Sequence, residues 1–230
     1  MNRWILGVDF GQRSDRTALA GVEVVPCEDV DVDADGLVTT ARKPYLDVRY
    51  LHRLPLNMAY PDQCAFIANL VEGTPELARA EVVVDATGVG VAVADSLREV
   101  MRRGFKELSI TGGAQATQDG NRISVPKRDL VSRLAVAMQS RRLRVSPGLP
   151  EAAALFDELG NFGVNISDTG SDSYGARTGH DDLVLATSYA VYLADQPDHG
   201  LAWLAYLRRQ GVPVSTNARD WRDRVPGRPL

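Results

Sequence analysis

Residues 81–90 read EVVVDATGVG, an apolar run that ends at Asp85 and is followed by two glycines. Short valine-rich runs favour buried strands, so the pattern predicts a strand over residues 81–85. The chain continues into a helix with Val93 and Leu97 on its apolar face, and Gly104 ends that helix before a second predicted strand at residues 105–111. Two strands joined by a helix form a parallel pair with a right-handed crossover. This unit therefore predicts an α/β fold.

The segments around this unit extend it into a larger sheet. Apolar and β-branched runs predict four further strands, at residues 3–9, 17–25, 44–54 and 162–166. The first two of these are expected to form a hairpin. Helical patterns predict four further helices, at residues 61–72, from 125 onward, at 151–159 and at 181–195. Polar or glycine-rich composition predicts loops at residues 28–36, 112–122 and 167–178. The predicted fold is a mixed central β-sheet flanked by helices.

Composition limits the classes of function. The 230 residues have a formal net charge of −4 and include two cysteines, Cys27 and Cys64. They form neither a Cys-x2-Cys pair nor a Cys/His cluster, which excludes a thiolate zinc site and predicts a reducing, cytoplasmic location. The sequence has no apolar run long enough to cross a membrane. We expect residues 1–196 to form the folded domain and the arginine-rich residues 197–230 to be a partly disordered basic extension.

Four aspartates lie where folding alone does not readily explain a carboxylate. Asp9 and Asp85 each end an apolar run, and Asp181 and Asp182 open the last predicted helix. Strands disfavour aspartate, and a buried carboxylate is costly unless it is paired or binds a metal. Acids favour a helix N-terminus, which explains one acid at that position more readily than two.

These acids predict a divalent-metal site. Ligands gather at the carboxyl ends of strands in α/β sheets, so we expect Asp9 and Asp85 to meet the start of the last helix there. Oxygen ligands suit Mg²⁺ and Mn²⁺ alike, and a pair of ions would relieve the repulsion among the carboxylates, with the central Asp9 bridging both. Adjacent helix positions point about 100° apart, so only one acid of the pair aims directly at the site. We expect Asp182 to be the direct ligand and Asp181 a second or water-mediated one.

Basic residues collect in and after the helix predicted from residue 125. They are Lys127, Arg128, Arg133, Arg141, Arg142 and Arg144. An acidic chain needs such a local surface to bind a nucleic acid, and phosphate contacts there would be independent of base sequence and sensitive to salt. A solvated helix face is the alternative explanation. His180, beside the acids, is a further candidate to orient a phosphate or accept a proton.

Four motifs together resemble a known family. They are residues 7–11 (GVDFG) with Asp15, residues 84–90 (VDATGVG), residues 125–130 (VPKRDL) and residues 179–184 (GHDDLV). In this order, they make the chain similar to the nuclease domain of the large terminase subunits of tailed bacteriophages. The resemblance implies a ribonuclease H-like fold in which Asp9, Asp85 and Asp182, with Asp181 beside them, bind Mg²⁺ or Mn²⁺ and cut double-stranded DNA.

The same resemblance implies partners, and two alternatives stay open. A terminase nuclease acts in viral DNA packaging in the host cytoplasm, with a packaging ATPase domain and the portal or the small terminase subunit. The sequence contains no Gly-x4-Gly-Lys-Ser/Thr phosphate loop, so we expect no packaging ATPase activity from it. One alternative is a nuclease of the same fold that resolves Holliday junctions. The other is a nucleotide-binding domain, because the glycine turns near Asp9 and Asp85 also resemble those of actin-like ATPases and sugar kinases.

Overall fold

The computed structural model describes residues 2–11, 15–27, 30–32, 38–41, 43–166, 172–176 and 180–196. Side chains are described for all of these except residues 30–32, 38–41, 163–166 and 172–176. The predicted basic extension at residues 197–230 lies outside the described residues. No helix within the described ranges is long and apolar enough to span a membrane.

The elements alternate between strands and helices after an initial run of strands. The strands are β1 (Arg3–Asp9), β2 (Ala18–Val25), β3 (Val30–Val32), β4 (Val38–Ala41), β5 (Tyr45–Arg53), β6 (Glu81–Asp85), β7 (Lys106–Thr111), β8 (Thr117–Asp119), β9 (Arg122–Pro126), β10 (Leu143–Val145), β11 (Phe162–Ile166) and β12 (Asp172–Ala176). The helices are α1 (Tyr60–Gly73), α2 (Gly90–Val100), α3 (Lys127–Gln139), α4 (Ala152–Asn161) and α5 (Asp182–Ala194), with a 3₁₀ turn at Leu77–Arg79.

Eight of these strands form one mixed sheet, in the order β10-β5-β2-β1-β6-β7-β9-β8. The centre is parallel from β1 through β6 and β7 to β9, whereas β2 is antiparallel to both β1 and β5. The predicted hairpin of the first two strands and the predicted parallel pair of β6 and β7 are both present. The mixed central sheet flanked by helices is confirmed.

The sheet has an apolar core on each face. One core joins Ile5 and Val83 to residues of α3, α4 and α5, and the other joins Leu6 and Val84 to residues of α1 and α2. Side chains alternate across a strand, so Asp9 has the same parity as Ile5 in β1, and Asp85 the same parity as Val83 in β6. Both carboxylates therefore face the helix layer that contains α5.

The structure differs from the sequence-based expectation in several short strands. The predicted loop at residues 112–122 contains β8, whose residues are all exposed, and the predicted loop at residues 167–178 contains β12. β3 lies within the predicted acidic loop at residues 28–36, and β10 was not predicted. Such strands form through backbone pairing to a neighbour, which leaves little pattern in their own side chains.

The start of α3 was also placed too early. Residues up to Pro126 belong to β9, which buries Ile123 and Val125 and pairs in parallel with β7. Pro126 has φ −59° and ψ 133°, an extended conformation, and α3 begins at Lys127. The prediction missed β9 because its alternation of buried and exposed residues spans only five positions and adjoins the helix directly.

Candidate metal centre

The centre is built at the carboxyl ends of two neighbouring parallel strands. The register of β1 and β6 pairs Val8 with Val84, so Asp9 and Asp85 come next, side by side. Asp9 is 7% exposed, and the Tyr189 hydroxyl of α5 donates a hydrogen bond of 3.1 Å to its Oδ1. Burial raises the pKa of Asp9 well above its usual value, and the nearby charges of Asp85 and Asp182 raise it further.

Asp85 is held by the turn that follows its strand. The Thr87 amide donates a hydrogen bond of 2.8 Å to Asp85 Oδ1. Burial raises the pKa of Asp85, while the bonds from Thr87 and the charge of Lys127 lower it in part. The turn is tight, because a Cβ on Gly90 would lie 2.5 Å from the Asp85 carbonyl oxygen. The glycine thus lets α2 begin directly against the end of β6.

The two acids at the start of α5 have different surroundings. Asp182 is 5% exposed and accepts a hydrogen bond of 3.3 Å from the Arg16 amide. Burial, followed by the charge of Asp15, raises the pKa of Asp182 to about 6. Asp181 is half-buried, and its Oδ2 lies 3.7 Å from Lys127 Nζ. Of the two acids, Asp182 is the one held inside the centre, whereas Asp181 is paired at its edge.

Among the described residues, the group whose potential ligand atoms come close enough together to hold one ion is Asp15, His180 and Asp182, and Asp9 and Asp85 are not part of it. One ligand atom from each of these three residues lies within 4.8 Å of the other two. His180 Nδ1 is 3.1 Å from Asp15 Oδ1, and both side chains are exposed. Asp15 was not selected as a ligand from the sequence. The sequence feature that could have indicated Asp15 is its place in the turn between β1 and β2, because the turn of a hairpin lies beside the end of its first strand, where Asp9 is located.

The predicted basic residues do not form one surface. Lys127 and Arg128 lie at the start of α3, and Arg141 follows its end, so the 13-residue helix separates them by about 20 Å. The Arg133 guanidinium lies 4.7 Å from the ring centre of Tyr192. Arg128 is exposed and donates a hydrogen bond of 2.6 Å to the Ala114 carbonyl.

Two of the predicted arginines form ion pairs with acids that are remote in sequence. Arg142 is 7% exposed, forms an ion pair of 2.7 Å with Asp195 and donates a hydrogen bond to the Pro44 carbonyl. Arg144 is exposed but forms an ion pair of 2.6 Å with Asp47. Burial removes Arg142 from the surface that a phosphate could reach.

The chemistry of these donors suits a divalent cation. Asp9, Asp85 and Asp182 offer carboxylate oxygens from two strand ends and one helix start, and the pKa of each is raised by burial. Oxygen ligands are those that Mg²⁺ and Mn²⁺ prefer, and a cation would offset the burial and repulsion that disfavour the charged carboxylates. His180 adds an imidazole nitrogen at the exposed side, a ligand that suits transition metals such as Mn²⁺ better than Mg²⁺.

The sheet order and the acidic centre together define a ribonuclease H-like α/β domain. The chain belongs to the terminase RNaseH-like domain family, whose match covers residues 58–193. That range includes Asp85, Asp181 and Asp182, whereas Asp9 and Asp15 precede it. The predicted resemblance to the nuclease domain of the terminase large subunit is confirmed.

Solved structures share this fold. The large terminase nuclease from thermophilic phage G20c has 23% identity and a TM-score of 0.54, with 83% of this chain and 82% of that chain covered. The same nuclease with bound magnesium has 24% identity and a TM-score of 0.54, with coverage of 83% and 81%. The large terminase nuclease domain of Thermus phage P74-26 has 20% identity and a TM-score of 0.54, with coverage of 86% and 82%. A comparison with curated proteins gives no match.

Proposed function

We propose that this chain is an endonuclease that cuts double-stranded DNA by two-metal-ion phosphodiester hydrolysis in viral DNA packaging. The observation that most supports this proposal is the convergence of carboxylates on the buried Asp9, whose pKa is raised by burial and by the charges of Asp85, Asp182 and Asp181. Membership of the terminase RNaseH-like domain family favours this function over junction resolution and over nucleotide binding. The proposal covers cleavage and not ATP-driven packaging, because the sequence has no packaging-ATPase phosphate loop.

Asp9, Asp85 and Asp182 would hold Mg²⁺ or Mn²⁺. The G20c nuclease with bound magnesium, which has the same fold, supports Mg²⁺ as one candidate. When bound, such ions supply an activated water molecule and stabilise the charge on the leaving oxygen. The protein keeps the three carboxylates in place through the Tyr189 hydroxyl, the Thr87 amide and the Arg16 amide, respectively.

The charged side chains around the acids would contact the DNA and assist the reaction. Lys127 Nζ lies 3.7 Å from Asp181 Oδ2, its charge lowers the pKa of Asp85, and it is partly exposed, so its ammonium group can contact the phosphate to be cut. Arg128 is exposed beside it and can contact the DNA backbone. His180, whose Nδ1 lies 3.1 Å from Asp15 Oδ1, would orient a phosphate or accept a proton from the reacting groups. Arg133 within α3 and Arg141 just after its end are candidates for weaker contacts.

Membership of the family also supports a proposed substrate, proposed partners and a proposed location. Double-stranded DNA is the proposed substrate, and a packaging ATPase domain, with the portal or the small terminase subunit, is the proposed partner. The host cytoplasm is the proposed location.

Plasmid cleavage with and without Mn²⁺ tests the proposal. We expect the wild-type protein to nick and linearise supercoiled plasmid only with added metal. Asp85→Ala and the isosteric Asp85→Asn should abolish cleavage while leaving the circular dichroism spectrum unchanged. Asp95→Ala is the matched control, because Asp95 is exposed on α2 and pairs only with Arg98 among the described contacts. Cleavage by Asp85→Asn at the wild-type rate would refute the assignment.

A further inference from the structure

Glu158 is a buried acid that the proposed mechanism does not use. It lies in α4 and is 7% exposed. Its Oε2 accepts two hydrogen bonds from the first turn of α5, at 2.9 Å from the Leu183 amide and 3.1 Å from the Val184 amide. The first amides of a helix have no partners inside the helix, and the side chain of the residue just before it usually satisfies them. Here an acid 25 residues upstream of Leu183 does so.

This arrangement leaves the acids at the start of α5 free for other contacts. Asp181 occupies the N-cap position, yet its side chain makes no capping bond among the described residues. Asp182 is the first residue of α5, and its Oδ2 accepts a bond from the Arg16 amide instead. An acid at either position would ordinarily be drawn to the helix amides. Because Glu158 accepts the hydrogen bonds from these amides, the side chains of Asp181 and Asp182 are not needed to cap the helix.

Arg53 ties Glu158 to the sheet. Arg53 ends β5, and its Nη1 lies 3.5 Å from Glu158 Oε1. Its Nη2 lies 2.7 Å from Glu151 Oε2 at the start of α4. A buried carboxylate is costly unless it is paired and hydrogen-bonded. Glu158 Oε2 accepts the two hydrogen bonds from α5, and Oε1 has the ion pair with Arg53 but no hydrogen bond among the described residues. Glu158 therefore links the start of α5 to α4 and β5.

We propose that Glu158 is a positioning residue of the metal centre, whose carboxylate caps α5 and thereby holds Asp182 in place to bind the ion. The proposal rests on the proposed function, because it presumes that Asp182 is a metal ligand. Residues that orient metal ligands typically change metal affinity by about 10–100-fold when they are replaced. Glu158 would act in this way through the backbone of α5, without touching the ion.

The test measures Mn²⁺ binding by isothermal titration calorimetry without DNA, and exchange of the Leu183 and Val184 amides by hydrogen–deuterium exchange without metal. We expect Glu158→Ala to bind Mn²⁺ about tenfold more weakly and to lose protection at both amides. Glu158→Gln should bind Mn²⁺ nearly as tightly as the wild type, since its amide oxygen still accepts the bonds.

Glu151→Ala is the matched control. It also removes a partner of Arg53, but Glu151 has no hydrogen bond to α5 among the described contacts. We expect its Mn²⁺ affinity to match that of the wild type. Equal Mn²⁺ affinity in Glu158→Ala and the wild type, or an equal loss in Glu151→Ala, would overturn the positioning role.

Two further outcomes remain informative. If Glu158→Ala does not fold, Glu158→Asp replaces it, because a side chain shorter by one methylene keeps the charge but not the reach to both amides. Wild-type Mn²⁺ affinity in Glu158→Asp, with both amides unprotected, would then overturn the proposal. A wild-type protein that binds no Mn²⁺ would instead refute the proposed function, and the role of Glu158 at a metal centre with it.

Discussion

Gly7 lies where β1 passes under α5, and Gly7→Ala tests whether this contact sets the geometry of the acidic centre. A Cβ on Gly7 would overlap the Ala186 carbonyl oxygen and lie 3.1 Å from its carbonyl carbon and 3.2 Å from the Ala190 nitrogen. All of these atoms belong to the backbone of α5, so no side-chain rotation can make room. A Cβ atom essentially never lies closer than 3.0 Å to another non-bonded heavy atom, so relief of the overlap with the Ala186 oxygen requires the helix to move from the strand by roughly 1 Å.

The expected effects follow from that displacement. Overpacking of a well-packed core costs about 1–3 kcal/mol, and we expect the upper end for Gly7→Ala because backbone meets backbone. Asp9 lies on β1 and Asp182 on α5, so the movement separates two of the proposed ligands. A misplacement of about 1 Å can slow catalysis about 100-fold, which is the reduction we expect in Mn²⁺-dependent plasmid cleavage.

Urea unfolding followed by circular dichroism and initial rates of plasmid cleavage measure the two effects. Gly73→Ala is the matched control, because nothing lies within 4 Å of a Cβ at this exposed end of α1. We expect it to leave cleavage unchanged and the free energy of unfolding equal or up to about 1 kcal/mol higher. Wild-type stability in Gly7→Ala would show that the packing argument is wrong. A stability loss with wild-type cleavage would show that this contact does not set the ligand geometry.

Two further predictions concern buried charges. In EDTA, the free energy of unfolding should fall as pH rises from about 4 to 7, because burial raises the pKa of Asp182 from 3.8 to about 6 and that of Glu158 from 4.5 to about 7. The folded state then binds protons at these carboxyl groups more tightly than the unfolded state, and this contribution to stability is lost as pH rises through the folded pKa values. Urea unfolding at each pH measures the free energy of unfolding, and a rise in stability over this range would contradict the prediction. Separately, Arg142→Ala should cost about 3 kcal/mol, because it leaves Asp195 buried without its main partner. The exposed Arg141→Ala should stay within about 0.5 kcal/mol of the wild type, and equal unfolding midpoints for the two variants would refute this contrast.

The sequence by itself determined the class of fold and where carboxylates end the strands. The valine run before Asp85 and the apolar run before Asp9 predict strands from local periodicity, and a strand–helix–strand order fixes a parallel pair. The helix at Asp182–Ala194 is apolar along its length, which marks it as buried against the sheet. These features depend on residues close together in the chain, so a single sequence contains them. The short strands β8 and β10 depend on pairing with distant neighbours and left little such pattern.

Only the tertiary structure decided which polar groups meet. Asp15 and His180 come together from a hairpin turn and from the approach to α5, 165 residues apart. Arg142 lies among basic residues that predict a DNA-contacting surface, but it is buried and paired with Asp195. Glu158 reads as an ordinary acid on an amphipathic helix, yet it caps α5. Each of these contacts joins side chains or backbone groups that are remote in sequence and adjacent in space. Because burying a charge without a partner is costly, the charges that the fold buries must be paired.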